Sequence, residues 1–109
     1  MEHEMSVSIV FCTVPDTQTA QKIASALVEQ RLAACVKLLD NVTSVYRWQD
    51  NVEQDNECQL LIKTAADKVS QAYALVVSMH PYDEPEWVEV PQVSGSSSYL
   101  TWVLDQTRS

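Results

Sequence analysis

The sequence predicts an α+β domain of the ferredoxin-like class, a βαββαβ sandwich followed by an extra C-terminal helix. Hydrophobic residues alternate along four stretches, as is typical of strands, and recur at helical spacing in three others. These stretches follow the order β-α-β-β-α-β-α, which right-handed crossovers close into a split βαβ sandwich. The 109 residues contain no linker and suffice for a single domain over 1–109.

The first half predicts a strand, a helix and a second, long strand. Alternating hydrophobic residues indicate the first strand over 6–12. Asp16 is a favourable N-cap for a helix that ends near Gln30. The second strand follows over 34–48, with a break or bulge expected at Asp40-Asn41.

The second half begins with a tight turn at Asp50-Asn51, two residue types that tolerate turn geometry. A third strand follows and places one apolar set on one face, namely Cys58, Leu60 and Ile62. A second helix is expected over 67–79 and a short fourth strand over 87–90. Residues 96–98 are serines that can cap a last helix.

The second and third strands predict a hairpin that extends beyond the rest of the domain. At about 3.3 Å per residue the hairpin is roughly 45 Å long, whereas the first helix covers only about 21 Å at 1.5 Å per residue. Its exposed edges and apolar side chains would promote aggregation unless another chain covered them. We therefore expect a homo-oligomer in which hairpins pair between subunits.

Charge and glycine content exclude several classes of protein. Seven Lys and Arg against 15 Asp and Glu give a net charge of −8, which is unfavourable for nucleic acids and for anionic membrane surfaces. Gly95 is the single glycine, so a glycine-rich phosphate loop cannot be written. The acidic start at residues 1–5 does not resemble a secretory signal. Three cysteines without a CxxC pair favour a reduced, cytoplasmic protein.

Cys12 and His80 are the residues most suited to bind a metal ion. The first and fourth strands are adjacent and antiparallel in this topology, so Cys12 and His80 should lie at the same end of the sheet. A thiolate and an imidazole can hold copper or zinc, and Met79 offers a thioether beside them. The alternative interpretation is structural, with Cys12 as a small buried hydrophobic residue and His80 as a helix C-cap.

A second set of residues could line a pocket for a small molecule. It combines aromatic and charged side chains, namely Tyr46, Trp48, Glu57, Lys63, Glu86 and Trp102. Their structural alternatives are an aromatic core or interface and an exposed sheet face. For Asp83 and Glu84 we favour a solvated connection. Nucleophilic catalysis by Cys12 with His80 would also need an oxyanion hole, which cannot be identified, so we predict no enzyme.

Several segments together resemble the CutA family of divalent-cation tolerance proteins, collinearly from about Ser6 to Trp102. These segments are Thr13-Val14-Pro15-Asp16, 29–36 (EQRLAACV), 44–48 (SVYRW), Lys63-Thr64, His80-Pro81-Tyr82 with Pro85-Glu86, and 99–102 (YLTW). The resemblance implies a ferredoxin-like homotrimer, similar in architecture to the PII signalling proteins, with the long hairpin packed between subunits. It also implies a cytoplasmic role in tolerance to copper or another divalent cation.

The resemblance implies a ligand set as well. In the family member with an assigned copper site, the ligands are a cysteine at the end of the first strand and two successive histidines before Pro-Tyr. Cys12 and His80 match this pattern, whereas Met79 replaces the first histidine, which shifts the preference toward Cu(I). The hairpin turn also departs from the family, which usually has Gly-Lys where this chain has Asp50-Asn51.

Three functions follow from these observations. The first is a trimeric metal-binding protein of metal tolerance, with Cys12, His80 and Met79 as ligands. The second is a PII-like sensor that binds a small molecule in a cleft between subunits. The third is a structural trimer that anchors a protein partner, whose identity the sequence does not indicate.

Overall fold

The computed structural model describes residues 6–108 as an α+β domain with a four-stranded antiparallel sheet and three helices. The elements occur in the predicted order: β1 (Val7–Val14), α1 (Thr17–Glu29), β2 (Cys35–Trp48), β3 (Asn51–Ala65), α2 (Val69–Met79), β4 (Val88–Val90) and α3 (Ser97–Gln106). The strand order in the sheet is β2-β3-β1-β4. Residues 1–5 lie outside the described residues. Their acidic character is the basis of the prediction that the chain does not begin with a secretory signal.

Local capping explains where the helices begin. The Asp16 carboxylate accepts a hydrogen bond from the Thr19 N–H at 2.7 Å, which confirms the predicted N-cap of α1. Ser96 caps α3 in the same way, through the Tyr99 N–H. The second helix starts later than predicted, because Ala66–Lys68 form a turn of 3-10 helix ahead of α2.

One face of the sheet is covered by α1 and α2. The predicted inward residues of β3, namely Cys58, Leu60 and Ile62, are at most 1% exposed and belong to this core. They pack with small and branched side chains from the two helices, namely Ala20, Ile23, Leu27, Val69, Ala72 and Val76. Cys12 lies on the same face of β1 and is also fully buried. Alternation along the strands therefore predicts this face correctly.

The opposite face is covered at one end only. There α3 buries Val103 against Val7 and Ala34. Farther along the same face, Leu39, Val88 and Val90 remain 42–52% exposed. Their position follows from the strand pairing, because residues that lie directly opposite each other on neighbouring strands point to the same face. We refer to this surface as the open face. Within residues 6–108, none of the helices has the length and apolar character that a membrane span requires.

β2 and β3 form the long hairpin that the sequence predicts. They have 14 and 15 residues, and the longest dimension of the molecule is 47 Å. The pairing shifts between Leu39↔Gln59 and Val42↔Glu57, which gives β2 one extra residue. Asn41 has φ 59° at this point, so the predicted bulge at Asp40-Asn41 is confirmed.

Two predicted boundaries near the strands are wrong. β1 continues to Val14, because Thr13 and Val14 still pair with Gln59 and Cys58, so Cys12 lies inside the strand. The hairpin turn is centred on Gln49-Asp50 instead of Asp50-Asn51, because Trp48 pairs with Asn51. Gln49 and Asp50 have φ of 50° and 68°, and two successive positive φ values match the twist of a two-residue hairpin.

Replacing Asp50 with glycine is expected to stabilise the protein. Asp50 holds a left-handed conformation that glycine adopts without steric cost, so Asp50→Gly should raise the free energy of unfolding by up to about 1 kcal/mol. Urea unfolding at one fixed protein concentration measures this change. The matched control is Asp67→Gly, which removes an exposed carboxylate from a helical turn and should destabilise. Equal effects of both substitutions would contradict the prediction.

Candidate functional site

Cys12 and His80 meet where the end of α2 approaches β1. His80 is the C-cap of α2 and is 8% exposed. Its Nε2 lies 2.7 Å from the Thr13 carbonyl oxygen, and its Nδ1 lies 3.1 Å from the backbone nitrogen of Tyr82. A carbonyl only accepts and an amide N–H only donates, so Nε2 carries the proton and Nδ1 accepts. The Cys12 thiol donates to the same Thr13 carbonyl at 3.8 Å.

We refer to this arrangement as the Cys12–His80 corner. In it, the three candidate ligands already make contacts within the protein. Both ring nitrogens of His80 are hydrogen-bonded to the main chain. Burial, followed by the nearby charge of Glu86, raises the pKa of the Cys12 thiol to about 12, so the thiol stays protonated at neutral pH. Met79 packs against the core. The donors therefore do not fit a metal ion as they stand: Cys12 must first lose its proton and His80 must release a hydrogen bond.

A large cleft lies beside this corner, between the hairpin and the segment that follows α2. Its volume is about 910 Å³. The lining residues come from β1, β2, β3 and this segment: Thr13, Ser44, Val45, Tyr46, Trp48, Asp55, Glu57, Tyr82, Asp83, Glu84 and Glu86. Every charged side chain in this lining is a carboxylate, and we refer to it as the acidic cleft.

Two tyrosines are tied to carboxylates in the acidic cleft. The Tyr46 hydroxyl donates to Asp55, and this hydrogen bond is the main cause that raises the pKa of Tyr46 to about 12. The Tyr82 hydroxyl lies 3.5 Å from a Glu57 oxygen, and burial together with the charges of Glu57 and Asp55 raises its pKa. Both hydroxyls are therefore neutral donors at physiological pH, and they orient the two carboxylates.

The six residues predicted to form one pocket are divided in the structure. Tyr46, Trp48, Glu57 and Glu86 line the acidic cleft. Lys63 does not: it lies six residues from Glu57 along β3, about 20 Å away at 3.3 Å per residue, and its ammonium donates to the Tyr99 hydroxyl. Lys63 and Trp102 therefore do not line the acidic cleft of a single chain, and their place in a cleft between subunits stays a prediction.

Trp102 lines a second, smaller pocket of about 350 Å³ at the end of α1. Arg31 also lines this pocket, and its guanidinium donates to the Gln106 carbonyl of α3 at 3.0 Å. The position of α3 on the open face separates Trp102 from the aromatic residues of the hairpin. Periodicity within α3 does not encode that position, so the sequence analysis could not place Trp102.

Three important residues of the acidic cleft were not predicted to line it. Asp55 shares a face of β3 with Glu57, two residues away, a strand spacing that is a usable signal. Asp83 and Glu84 line the cleft, whereas the sequence favoured a solvated connection. Both carboxylates are nevertheless exposed, so a position in the cleft lining is compatible with the predicted contact with solvent.

The described residues do not contain a preformed metal cage. Over residues 6–108, no three side chains of the types His, Cys, Asp and Glu come together as a metal-binding group. The carboxylates of the acidic cleft are therefore spread over its walls instead of converging on one point. Such a cleft attracts cations by its field and can hold a hydrated ion through one or two carboxylates.

The fold and the acidic cleft define a small α+β protein with a negatively charged surface cleft. The chain belongs to the CutA1 divalent ion tolerance protein family, whose profile matches residues 8–106. A divalent-cation tolerance protein CutA from Thermus thermophilus is 43% identical over 99 residues, which cover 91% of this chain and 96% of that protein. The family membership predicted from the resemblance of the sequence is thereby confirmed.

Other relatives show how far the likeness extends. Protein CutA of Mus musculus is 42% identical over 104 residues, or 95% of this chain, but the chain spans only 59% of the mouse protein's length. The crystal structure of CutA from Xylella fastidiosa superposes with a TM-score of 0.90 at 42% identity, covering 94% of this chain and 99% of that one. The fold thus agrees with an experimentally determined relative almost throughout.

The names of relatives differ in cellular compartment. A relative from Arabidopsis thaliana, 37% identical over 93% of this chain and 56% of its own length, is named chloroplastic. The structure from Archaeoglobus fulgidus, with a TM-score of 0.88 at 27% identity over 94% of this chain and 99% of that one, is described as periplasmic. Family membership therefore does not by itself assign a compartment.

Proposed function

We propose that the protein binds divalent cations and contributes to tolerance of them, without catalysing a reaction. One observation carries this proposal: every charged side chain that lines the acidic cleft is a carboxylate. The net charge of −8 adds a long-range attraction for cations. Family membership supports the same conclusion, and the three free cysteines, Cys12, Cys35 and Cys58, support a reducing, cytoplasmic location.

The two candidate locations suit different ions. Carboxylate and hydroxyl oxygens in the acidic cleft favour hard divalent cations that keep part of their water shell. The Cys12–His80 corner, with Met79, suits copper, provided that the thiol loses its proton. The two locations meet at β1, since Thr13 is one of the residues that line the cleft and its carbonyl oxygen accepts from His80. We propose the acidic cleft as the place of first contact.

Charge-neutralising variants test this proposal and separate the two locations. The double variant Glu57→Gln/Glu86→Gln should weaken binding of Mn²⁺ in calorimetric titration at least tenfold, because it removes two of the carboxylates that line the cleft. The control Asp67→Asn removes an exposed carboxylate outside the cleft and should change the affinity less than twofold.

Copper titration of a second double variant tests the corner. Cys12→Ser/His80→Gln should abolish tight copper binding if copper occupies the corner, whereas Cys58→Ser, a matched buried cysteine, should not. If all four variants bound Mn²⁺ and copper with the affinities of the unmodified protein, cation binding at either place would be contradicted.

We also propose a homotrimer of ferredoxin-like subunits. The support is the apolar surface that a single chain leaves uncovered: Leu39 and Val88 on the open face, and Val45, Trp48 and Val52 on the hairpin, are 47–68% exposed. Native mass spectrometry of protein purified without chelator reports the oligomer mass and the bound metal in one measurement. A monomer mass at micromolar concentration would contradict this part of the proposal.

A second function, a sensor that binds a small molecule, is favoured by the size of the acidic cleft. A volume of about 910 Å³ is far larger than one hydrated ion requires, and it lies within the range of small-molecule pockets. In a trimer, a neighbouring hairpin would add a further wall. This function predicts that a ligand quenches the fluorescence of Trp48 and that chelators leave the quenching unchanged.

A further inference from the structure

We propose that Lys37 on the open face receives the hairpin of a second copy of this chain, through an outer acidic pair formed by Glu53 and Asp55. This inference rests on the proposed homotrimer and names the charges that select its contact. Lys37 lies on the open face because it is two residues from Leu39 along β2, and successive side chains of a strand alternate between its faces. Lys37 is exposed.

The surroundings of Lys37 are apolar and uncovered. Leu39 beside it and Val88 in the same row of paired strand residues are 47% and 52% exposed. Lys63, a second lysine of this face, already donates to the Tyr99 hydroxyl of α3. Lys37 lacks an ion pair with any carboxylate of residues 6–108. A chain that covered Leu39 and Val88 would therefore bury a cation that needs a partner.

The hairpin supplies the opposite charge on the side that continues the open face. Glu53 and Asp55 alternate in step with Gln59, which lies opposite Leu39, so the outer acidic pair points to the side of the open face. Both residues of the pair are exposed. Arg47 is the cation of the hairpin, and the register turns it to the other side. The charge on the side of the open face is therefore negative.

The outer acidic pair and Lys37 do not meet within one chain. Lys37 lies opposite Leu61, and Asp55 is six residues farther along β3, about 20 Å away at 3.3 Å per residue. The hairpin gives the molecule a longest dimension of 47 Å, against 24 and 21 Å, so its outer part projects from the body. A second copy carries both members of the contact, and every chain can give one hairpin and receive another. Such head-to-tail contacts close into a ring when the rotation between neighbours permits it.

Complementary charge selects which side of the hairpin docks. Leu39 and the exposed Trp48, which lies on the same side of the hairpin as the outer acidic pair, contribute apolar area to the contact. Docking through the other side would bring Arg47 against Lys37, and like charges that face each other across an interface are costly. Glu57 is not required for this contact and remains in the lining of the acidic cleft.

Subunit exchange between unlabelled and ¹⁵N-labelled full-length protein, followed by native mass spectrometry, measures how fast chains leave the assembly. Lys37→Glu should exchange at least tenfold faster than the unmodified protein, because it places a carboxylate against the outer acidic pair. The matched control Lys22→Glu makes the same change of charge at an exposed position of α1, which covers the opposite face of the sheet, and its exchange rate should stay within twofold.

Charge swaps test the pairing itself. Lys37→Glu/Glu53→Lys and Lys37→Glu/Asp55→Lys restore opposite charges across the contact, and at least one should exchange at least threefold more slowly than Lys37→Glu alone. Lys37→Glu/Glu29→Lys restores the same net charge at the exposed last residue of α1, where a cation suits the end of a helix, and should exchange as fast as Lys37→Glu.

The outcomes separate this inference from the proposed homotrimer. A monomeric unmodified protein would overturn both, because a second copy would not cover the open face. A trimer in which Lys37→Glu exchanges as slowly as Lys22→Glu would overturn the inference and leave the trimer intact. The same conclusion follows if neither swap exchanges more slowly than Lys37→Glu/Glu29→Lys, because the outer acidic pair would then not meet Lys37.

Discussion

Cys12 is expected to react with iodoacetamide at pH 8 about a thousandfold more slowly than a free cysteine. With a pKa raised to about 12, only about one thiol in ten thousand is a thiolate at that pH, whereas a free cysteine of pKa ≈ 8.5 is about one-quarter ionised. Burial limits access as well, since Cys12 is 0% exposed. A time course by peptide mass spectrometry measures the rate, with the less buried Cys35 as an internal reference. Equal labelling of both residues would contradict the expected protonation state.

The same pKa shift makes the protein less stable at alkaline pH. The folded chain holds the Cys12 proton more tightly than the unfolded chain, whose thiol titrates near the model value of 9.0. The stabilisation is therefore fully present below about pH 9 and is lost as pH rises toward about 12. A metal ion that bound the Cys12 thiolate would have to displace this proton, so its uptake would become tighter as pH rises.

Replacing His80 with leucine should lower the free energy of unfolding by about 2–4 kcal/mol. The imidazole satisfies both the Thr13 carbonyl and the Tyr82 N–H, and an unpaired buried polar group costs about 1–3 kcal/mol. Leucine retains most of the packing volume, so the loss reports mainly the two hydrogen bonds. Urea unfolding at a fixed protein concentration provides the measurement.

Two companion variants give this experiment its controls. Met79→Leu changes the preceding residue, which packs against the core, by a volume-conserving swap and should cost less than about 1.5 kcal/mol. His80→Gln keeps one donor and one acceptor and should recover part of the loss. If His80→Leu were as stable as Met79→Leu, the corner would not have the structural role that its hydrogen bonds indicate.

Much of the fold could be predicted because it depends on short-range pattern. Alternation along β3 identified the buried face that holds Leu60, and Asp16 identified the start of α1. The turn was misplaced by one residue because Gln49, Asp50 and Asn51 are all polar, and only the pairing of Trp48 with Asn51 fixes the register. The end of β1 was placed two residues too early, since the strand continues through Thr13 and Val14 up to Pro15.

The candidate site was predictable only in part, because its contacts depend on the positions of main-chain groups. The proximity of Cys12 and His80 followed from the adjacency of β1 and β4. The occupation of both His80 nitrogens did not, since it requires the Thr13 carbonyl and the Tyr82 N–H to lie on opposite sides of one ring. Sequence patterns carry residue types and spacing, and they do not carry these positions.

The bulge in β2 determines the composition of one wall of the acidic cleft. Its single extra residue shifts the alternation, so Tyr46 and Trp48 fall on the same side of the strand as Leu39. If Asn41 were deleted, the alternation beyond it would reverse, and Arg47 would take the side now occupied by Tyr46 and Trp48. A cationic guanidinium would then stand where two aromatic rings stand now. One residue in the length of β2 thus decides whether this wall attracts cations or repels them.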